Sequence, residues 1–86
     1  MPWFTYIAEC ADGTYYAGIA TDVDRRMAEH NSGTGAKYTR SRTPVTCVWY
    51  EEHPDRSSAS KRECEIKAMS RARKEHLVAE GEKQAK

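Results

Sequence analysis

The sequence predicts an α+β domain: a three-stranded, mainly antiparallel sheet flanked by about three helices. Three observations lead there. Residues 3–10 and 14–19 are rich in aromatic and β-branched side chains and are joined by turn residues. A third such run, 45–51, is set off by Pro44 and Pro54. Helical segments open at Asp22, at Ser57 or Ser58, and at Ser70.

The first two runs form a hairpin, and its loop fixes which side chains share a face. A two-residue turn at Asp12 and Gly13 would pair Glu9 with Tyr16 and leave Tyr6 on the opposite face. A three-residue loop, Ala11, Asp12 and Gly13, with Gly13 left-handed, pairs Ala8 with Tyr16 and Tyr6 with Gly18. The second register is expected, with Tyr15 packed on the other side. Asp22 caps a helix running to about Asn31 and ended by Ser32 and Gly33; Val23 and Met27 form its buried stripe, with Arg26 and His30 beside it. Residues 35–43 read as a basic loop. The second helix is expected over 59 to about 69, with Ala59, Ile66 and Met69 buried and Glu63 at the edge of that stripe; the third spans 71–80.

Composition narrows the function classes. A chain of 86 residues, 38% hydrophobic and 31% charged, suits one small globular domain over 1–80, with 81–86 a frayed tail. No apolar run approaches the ~18 residues of a membrane span, and the first residues lack a signal-peptide layout. A cytoplasmic protein with no membrane partner is expected. Cys10, Cys47 and Cys64 are odd in number and widely spaced, which indicates reduced, mostly buried thiols rather than a disulfide framework or zinc site. The net charge is only +1, yet Arg25, Arg26, Lys37, Arg40 and Arg42 share one stretch with a single acid, Glu29. That stretch is either a nucleic-acid contact or an ordinary solvated loop.

Several of these residues fall into an ordered set. Phe4, Thr5 and Tyr6 lie on the first strand and Tyr16, Ala17 and Gly18 on the second; Arg26 follows Tyr16 by ten positions, then come His30 and, within residues 60–67, Glu63. The strings Glu29-His-Asn-Ser-Gly, Lys37-Tyr-Thr-Arg and Glu65-Ile-Lys accompany them. This set resembles the GIY-YIG nuclease superfamily, and in particular its short single-domain branch, over residues 3 to about 78. Ile19 stands where some relatives carry a lysine near the attacking water.

The resemblance implies a DNA endonuclease that hydrolyses phosphodiester bonds with one Mg²⁺ or Mn²⁺ ion, acting on branched, nicked or single-stranded DNA in repair or recombination. It implies Tyr6, Tyr16, Arg26, His30 and Glu63 as catalytic residues. Arg26 would clamp the phosphate with its planar fork; its plain alternative is an ion pair with Asp22 or Glu29. Tyr16 would accept the water's proton while Tyr6 orients it, and the two roles can be exchanged. Glu63 would be the lone carboxylate on the metal, or else the partner of Lys67 one turn on. His30 would relay a proton or touch phosphate, or lie on the helix surface; His53 and His76 are expected without partners. Lys37, Tyr38, Arg40 and Arg42 are expected to bind the nucleic acid, with Tyr38 stacking on a base. Target selectivity would come from DNA shape, the basic loop or a companion protein. A noncatalytic nucleic-acid-binding module with the same fold is the alternative function, and an adapter domain a third.

Overall fold

The hairpin forms in the register that lets both phenols share a face. Strands β1 (Trp3–Glu9) and β2 (Tyr15–Ala20) pair antiparallel, with Tyr6 opposite Gly18 and Ala8 opposite Tyr16. Gly13, at φ +84°, takes the left-handed conformation that the three-residue loop requires. The computed structural model describes residues 2–80; the tail expected over 81–86 lies outside them.

Strand β3 (Thr46–His53) adds antiparallel to β1, giving the order β2-β1-β3. It runs two residues beyond the expected end. Its register shifts between Ile7 and Ala8, which pair with Trp49 and Cys47 and leave Val48 as the extra residue of a bulge. Because β1 is central, its odd and even residues feed two cores. Tyr6, Ala8, Cys10, Ala20 and Val45 pack on one face with Tyr16, Val23 and Met27; Ile7, Ala17, Trp49 and Ile66 pack on the other with Tyr15, Met69, Leu77 and Val78.

Helix α1 (Val23–Ser32) covers the first face. The Asp22 side chain accepts from the Arg25 amide at 3.0 Å, and Gly33 closes the helix. Its buried residue is His30, whereas Val23 and Met27, expected as the buried stripe, are only half-buried. Asn31 ties α1 to the start of β3: its amide donates to the Val45 carbonyl at 3.0 Å and its carbonyl accepts from the Val45 amide at 2.6 Å.

Helices α2 (Arg56–Lys67) and α3 (Arg71–Glu80) cover the second face. The cap of α2 is Asp55, not Ser57 or Ser58: one Asp55 oxygen accepts from both the amide and the hydroxyl of Ser58, each at 2.8 Å. A carboxylate cap outcompetes a serine that its own helix has absorbed. Ser70 does cap α3, accepting from the Arg73 amide at 3.2 Å. Cys10 is buried and Cys47 half-buried, but Cys64 is exposed, contrary to expectation, and no disulfide joins them among the described residues. His53 and His76 also differ from expectation, each meeting a carboxylate at 2.9 Å, Glu51 and Glu80 respectively.

Candidate active site

Tyr6 is the hub of the site. Its ring leaves the central strand and lies over β2, where Gly18 leaves room for it: a Cβ at Gly18 would stand 2.5 Å from the Tyr6 hydroxyl and 2.7 Å from Cζ. An isolated glycine inside a strand marks such a close approach. Tyr6 is buried to 1% exposure and held by His30, so its ring has no room to yield. Gly18→Ala is therefore expected to cost roughly 1–3 kcal/mol by overpacking. Chemical denaturation reads this directly; an unchanged midpoint would mean that the ring moves freely.

A buried relay fixes the Tyr6 hydroxyl. Tyr6 Oη lies 2.9 Å from His30 Nε2, and His30 Nδ1 lies 2.8 Å from Thr39 Oγ1, which donates to the Ala36 carbonyl at 2.9 Å. Since Thr39 spends its hydrogen on Ala36, it accepts from Nδ1–H, which leaves Nε2 as the acceptor for the Tyr6 hydroxyl. The Ala36 amide, 3.4 Å from Nδ1, would need the opposite tautomer and is the weaker partner. His30 and Thr39 are fully buried, so the expected direct contact of His30 with phosphate is closed, and so is the helix-surface alternative.

The titration of these groups follows from burial. Desolvation, only partly offset by Arg26, pushes the Tyr6 phenol up to about 12. Burial first, and the Arg26 charge second, hold His30 below the ordinary histidine value of 6.5. Below that value the unfolded chain takes up a proton that folded His30 refuses. His30 therefore costs stability as pH falls through 6.5 toward its depressed folded value, and none above it.

Arg26 stands on α1 on the same face, with its side chain 32% exposed and Nη1 donating to Glu29 at 2.9 Å. Glu29 foremost, then Tyr6, keep the guanidinium protonated, and Arg26 in turn holds the Glu29 carboxyl below its usual range. Tyr16, half-buried, meets the His30 ring edge-on at 5.5 Å and stacks on Tyr38 at 5.7 Å. Tyr15 points the other way, under Arg71 at 4.0 Å.

Glu63 comes from the opposite layer. It shares the face of α2 that carries Ala59 and Ile66, and α2 lies against β1 and the edge strand β2. Its side chain keeps 19% exposure and pairs with Lys67 at 3.0 Å. Its charge is the weakest of the influences on the Tyr6 phenol, and its direct partner is Lys67, whose ammonium it keeps protonated.

The basic loop divides into two parts. Arg42 is committed within the chain: Nε meets Asp12 at 3.1 Å, Nη1 donates to the Tyr38 carbonyl at 2.6 Å, and the guanidinium lies 4.1 Å from the Tyr38 ring centroid. Lys37, Tyr38 and Arg40, on or just after a 3-10 turn (Lys37–Thr39), are exposed. Thr39 and Gly18 are not among the functional residues that sequence reasoning singles out. Glycine inside a strand is a usable signal for Gly18; nothing local marks Thr39.

Residues 2–76 match the model of the GIY-YIG catalytic domain. The chain belongs to the GIY-YIG family. Among its relatives, a UPF0213 protein of Halobacterium salinarum is 60% identical over 72 residues, which cover 84% of this chain and 94% of that one. Another, from Desulfotalea psychrophila, is 57% identical over 82 residues, 94% of this chain and 74% of that one. The solution NMR structure of a UPF0213 protein from Bacillus halodurans superposes with a TM-score of 0.59 at 48% identity, over 92% of this chain and 84% of that one. A second NMR structure, of a protein from E. faecalis, gives 0.62 at 41% identity over the same shares. GIY-YIG membership implies a nuclease-type function with DNA as substrate, and nucleases of this family generally use divalent metal ions. Among the described residues, no helix is long and apolar enough to cross a membrane.

Proposed function

We propose that the protein is a metal-dependent DNA endonuclease that hydrolyses phosphodiester bonds, selecting branched, nicked or single-stranded DNA by shape in repair or recombination. The observation that supports this most is the packing of Tyr6, Tyr16 and His30 together on the sheet face covered by α1, the helix that carries Arg26. Hydrolysis adds a water oxygen to phosphorus, breaks one P–O bond to a sugar and delivers a proton to the departing oxygen. Arg26 neutralises charge that builds on the phosphate, with its fork oriented by Glu29.

A phenol raised to about 12 cannot wait as phenolate at neutral pH. Tyr6 has another route, because it can take the water's proton while its own hydrogen passes to His30 Nε2, 2.9 Å away. In this proposal Tyr6 and neutral His30 form the base, and Tyr16 orients the water or phosphate. Among the described residues, no three His, Cys, Asp or Glu cluster as a metal site. Glu63 is a hard oxygen donor, which fits one Mg²⁺ or Mn²⁺ held by a single carboxylate, with water and phosphate oxygens as the other ligands. Such an ion supplies charge stabilisation at the phosphate.

One observation favours a second reading. Lys67 holds Glu63 at 3.0 Å, the arrangement expected of a noncatalytic binding module in which that carboxylate serves its helix. Labelled flap, nicked and single-stranded DNA, incubated with Mg²⁺ or Mn²⁺, separate the two. Metal-dependent cutting supports the enzyme, salt-sensitive binding without cutting supports the module, and neither leaves an adapter.

Lys37 and Arg40 are proposed to track the DNA backbone. Removing either is expected to lower the slope of log affinity against log salt by about 1, as for one phosphate contact. Fluorescence anisotropy across a salt series measures it; an unchanged slope for both would place the DNA elsewhere.

A further inference from the structure

Beside the site, an open groove of about 230 Å³ runs from Arg26 to the start of β1. Trp3 forms one wall and Ile19 is part of its lining, while Asp22, Arg25 and Glu29 stand on the α1 side. We propose that this groove receives one unpaired nucleobase, on the nucleotide flanking the phosphate at Arg26, with Trp3 as its stacking platform. The proposal rests on Arg26 being the phosphate clamp.

Three features select this occupant. The volume is below the roughly 300–1,000 Å³ of ordinary small-molecule sites, so it suits a single flat heterocycle rather than a base pair. Trp3 and Ile19, both half-buried, supply aromatic and aliphatic surface, and a base laid on an aromatic ring is held whatever its identity. Arg56 lies over the Trp3 ring, 5.6 Å from its centroid, which leaves the other face of the indole for a base and puts a positive charge near the adjoining sugar-phosphate. Asp22 and Glu29 balance Arg25 and Arg26 in the lining, so the groove has no net charge to draw a phosphate inward, and its carboxylates can accept hydrogen bonds from exocyclic amino groups of bases. The clamp therefore takes the backbone and the groove takes the base. A duplex cannot satisfy both without unpairing, so the site prefers single-stranded or frayed DNA.

The chain reports on this groove without labels. It has two tryptophans, and Trp49 is buried to 2% exposure, so quenching of tryptophan emission by added DNA reads Trp3. Titration of the full chain with short single-stranded DNA is expected to quench saturably, and an oligonucleotide with abasic positions throughout is expected to bind without quenching. Trp3→Ala should weaken single-strand binding about tenfold and leave duplex binding nearly unchanged, while Trp3→Phe retains most of the affinity. Circular dichroism confirms that each variant is folded, and Trp3→Phe keeps the test decisive if Trp3→Ala is not. Single strands that bind by anisotropy with Trp3 emission unchanged, or that do not bind at all, would overturn the proposal. Quenching without metal-dependent cutting would keep the groove and sink the hydrolase reading; cutting with a silent Trp3 would do the reverse.

Discussion

Replacing Tyr6 by phenylalanine is expected to slow metal-dependent DNA cleavage by roughly 10²–10⁴-fold, the contribution of a positioned acid–base group. DNA affinity should stay nearly unchanged, because the Tyr6 hydroxyl is engaged with His30, and in the proposed step with the water, rather than with the DNA backbone. The variant also leaves His30 Nε2 buried without its 2.9 Å partner, at a cost of about 1–3 kcal/mol in stability. Rate and stability therefore need separate measurement, by single-turnover cleavage and by denaturant melts. The pH profile adds a test that a purely structural role would not move. His30 must be neutral to accept the proton, and burial holds its titration below 6.5, so the acid limb of the rate should fall below that pH. His30→Asn should abolish the limb along with most of the rate. An acid limb at or above 6.5, or a Tyr6→Phe chain that cuts at the original rate, would move the base to Tyr16.

Glu63→Gln is expected to lower cleavage by at least about 10²–10³-fold, since a Lewis acid contributes several kcal/mol and each ~1.4 kcal/mol is a factor of ten. Unfolding cannot account for such a loss: an i,i+4 pair with a half-buried Glu63 and an exposed Lys67 contributes about 1 kcal/mol at most. DNA binding should persist or tighten at low salt, because Lys67 then loses its internal partner. Cleavage and anisotropy measured side by side decide the matter. A Glu63→Gln chain that cuts normally would reduce the carboxylate to a companion of Lys67.

The hairpin was the most legible part of the fold, because its turn residues admit few loops and only one puts two tyrosines on the same face. The start of α1 was equally plain, since Asp22 lies directly before the apolar stripe that Val23 opens. The start of α2 was not: Asp55 and the two serines after it are all competent caps, and only the chain's path shows which oxygen the amide meets. The bulge at Val48 was invisible because it arises where β3 meets β1, across more than forty residues of sequence. The candidate site divides the same way. Residues on the hairpin and α1 could be grouped by periodicity alone. The burial of His30 could not, since its two partners, Tyr6 and Thr39, come from a distant strand and from a loop that no local rule folds over it.

Glu63 stands on the helix that covers one side of the sheet and Arg26 on the helix that covers the other. A reaction centre that used both, as proposed, would be a seam between the layers. Neither layer alone can carry half an activity, so loss of function on heating should coincide with loss of the whole fold. A ligand that grips both sides would act as a clasp, raising the melting temperature in step with its concentration even where no bond is cut.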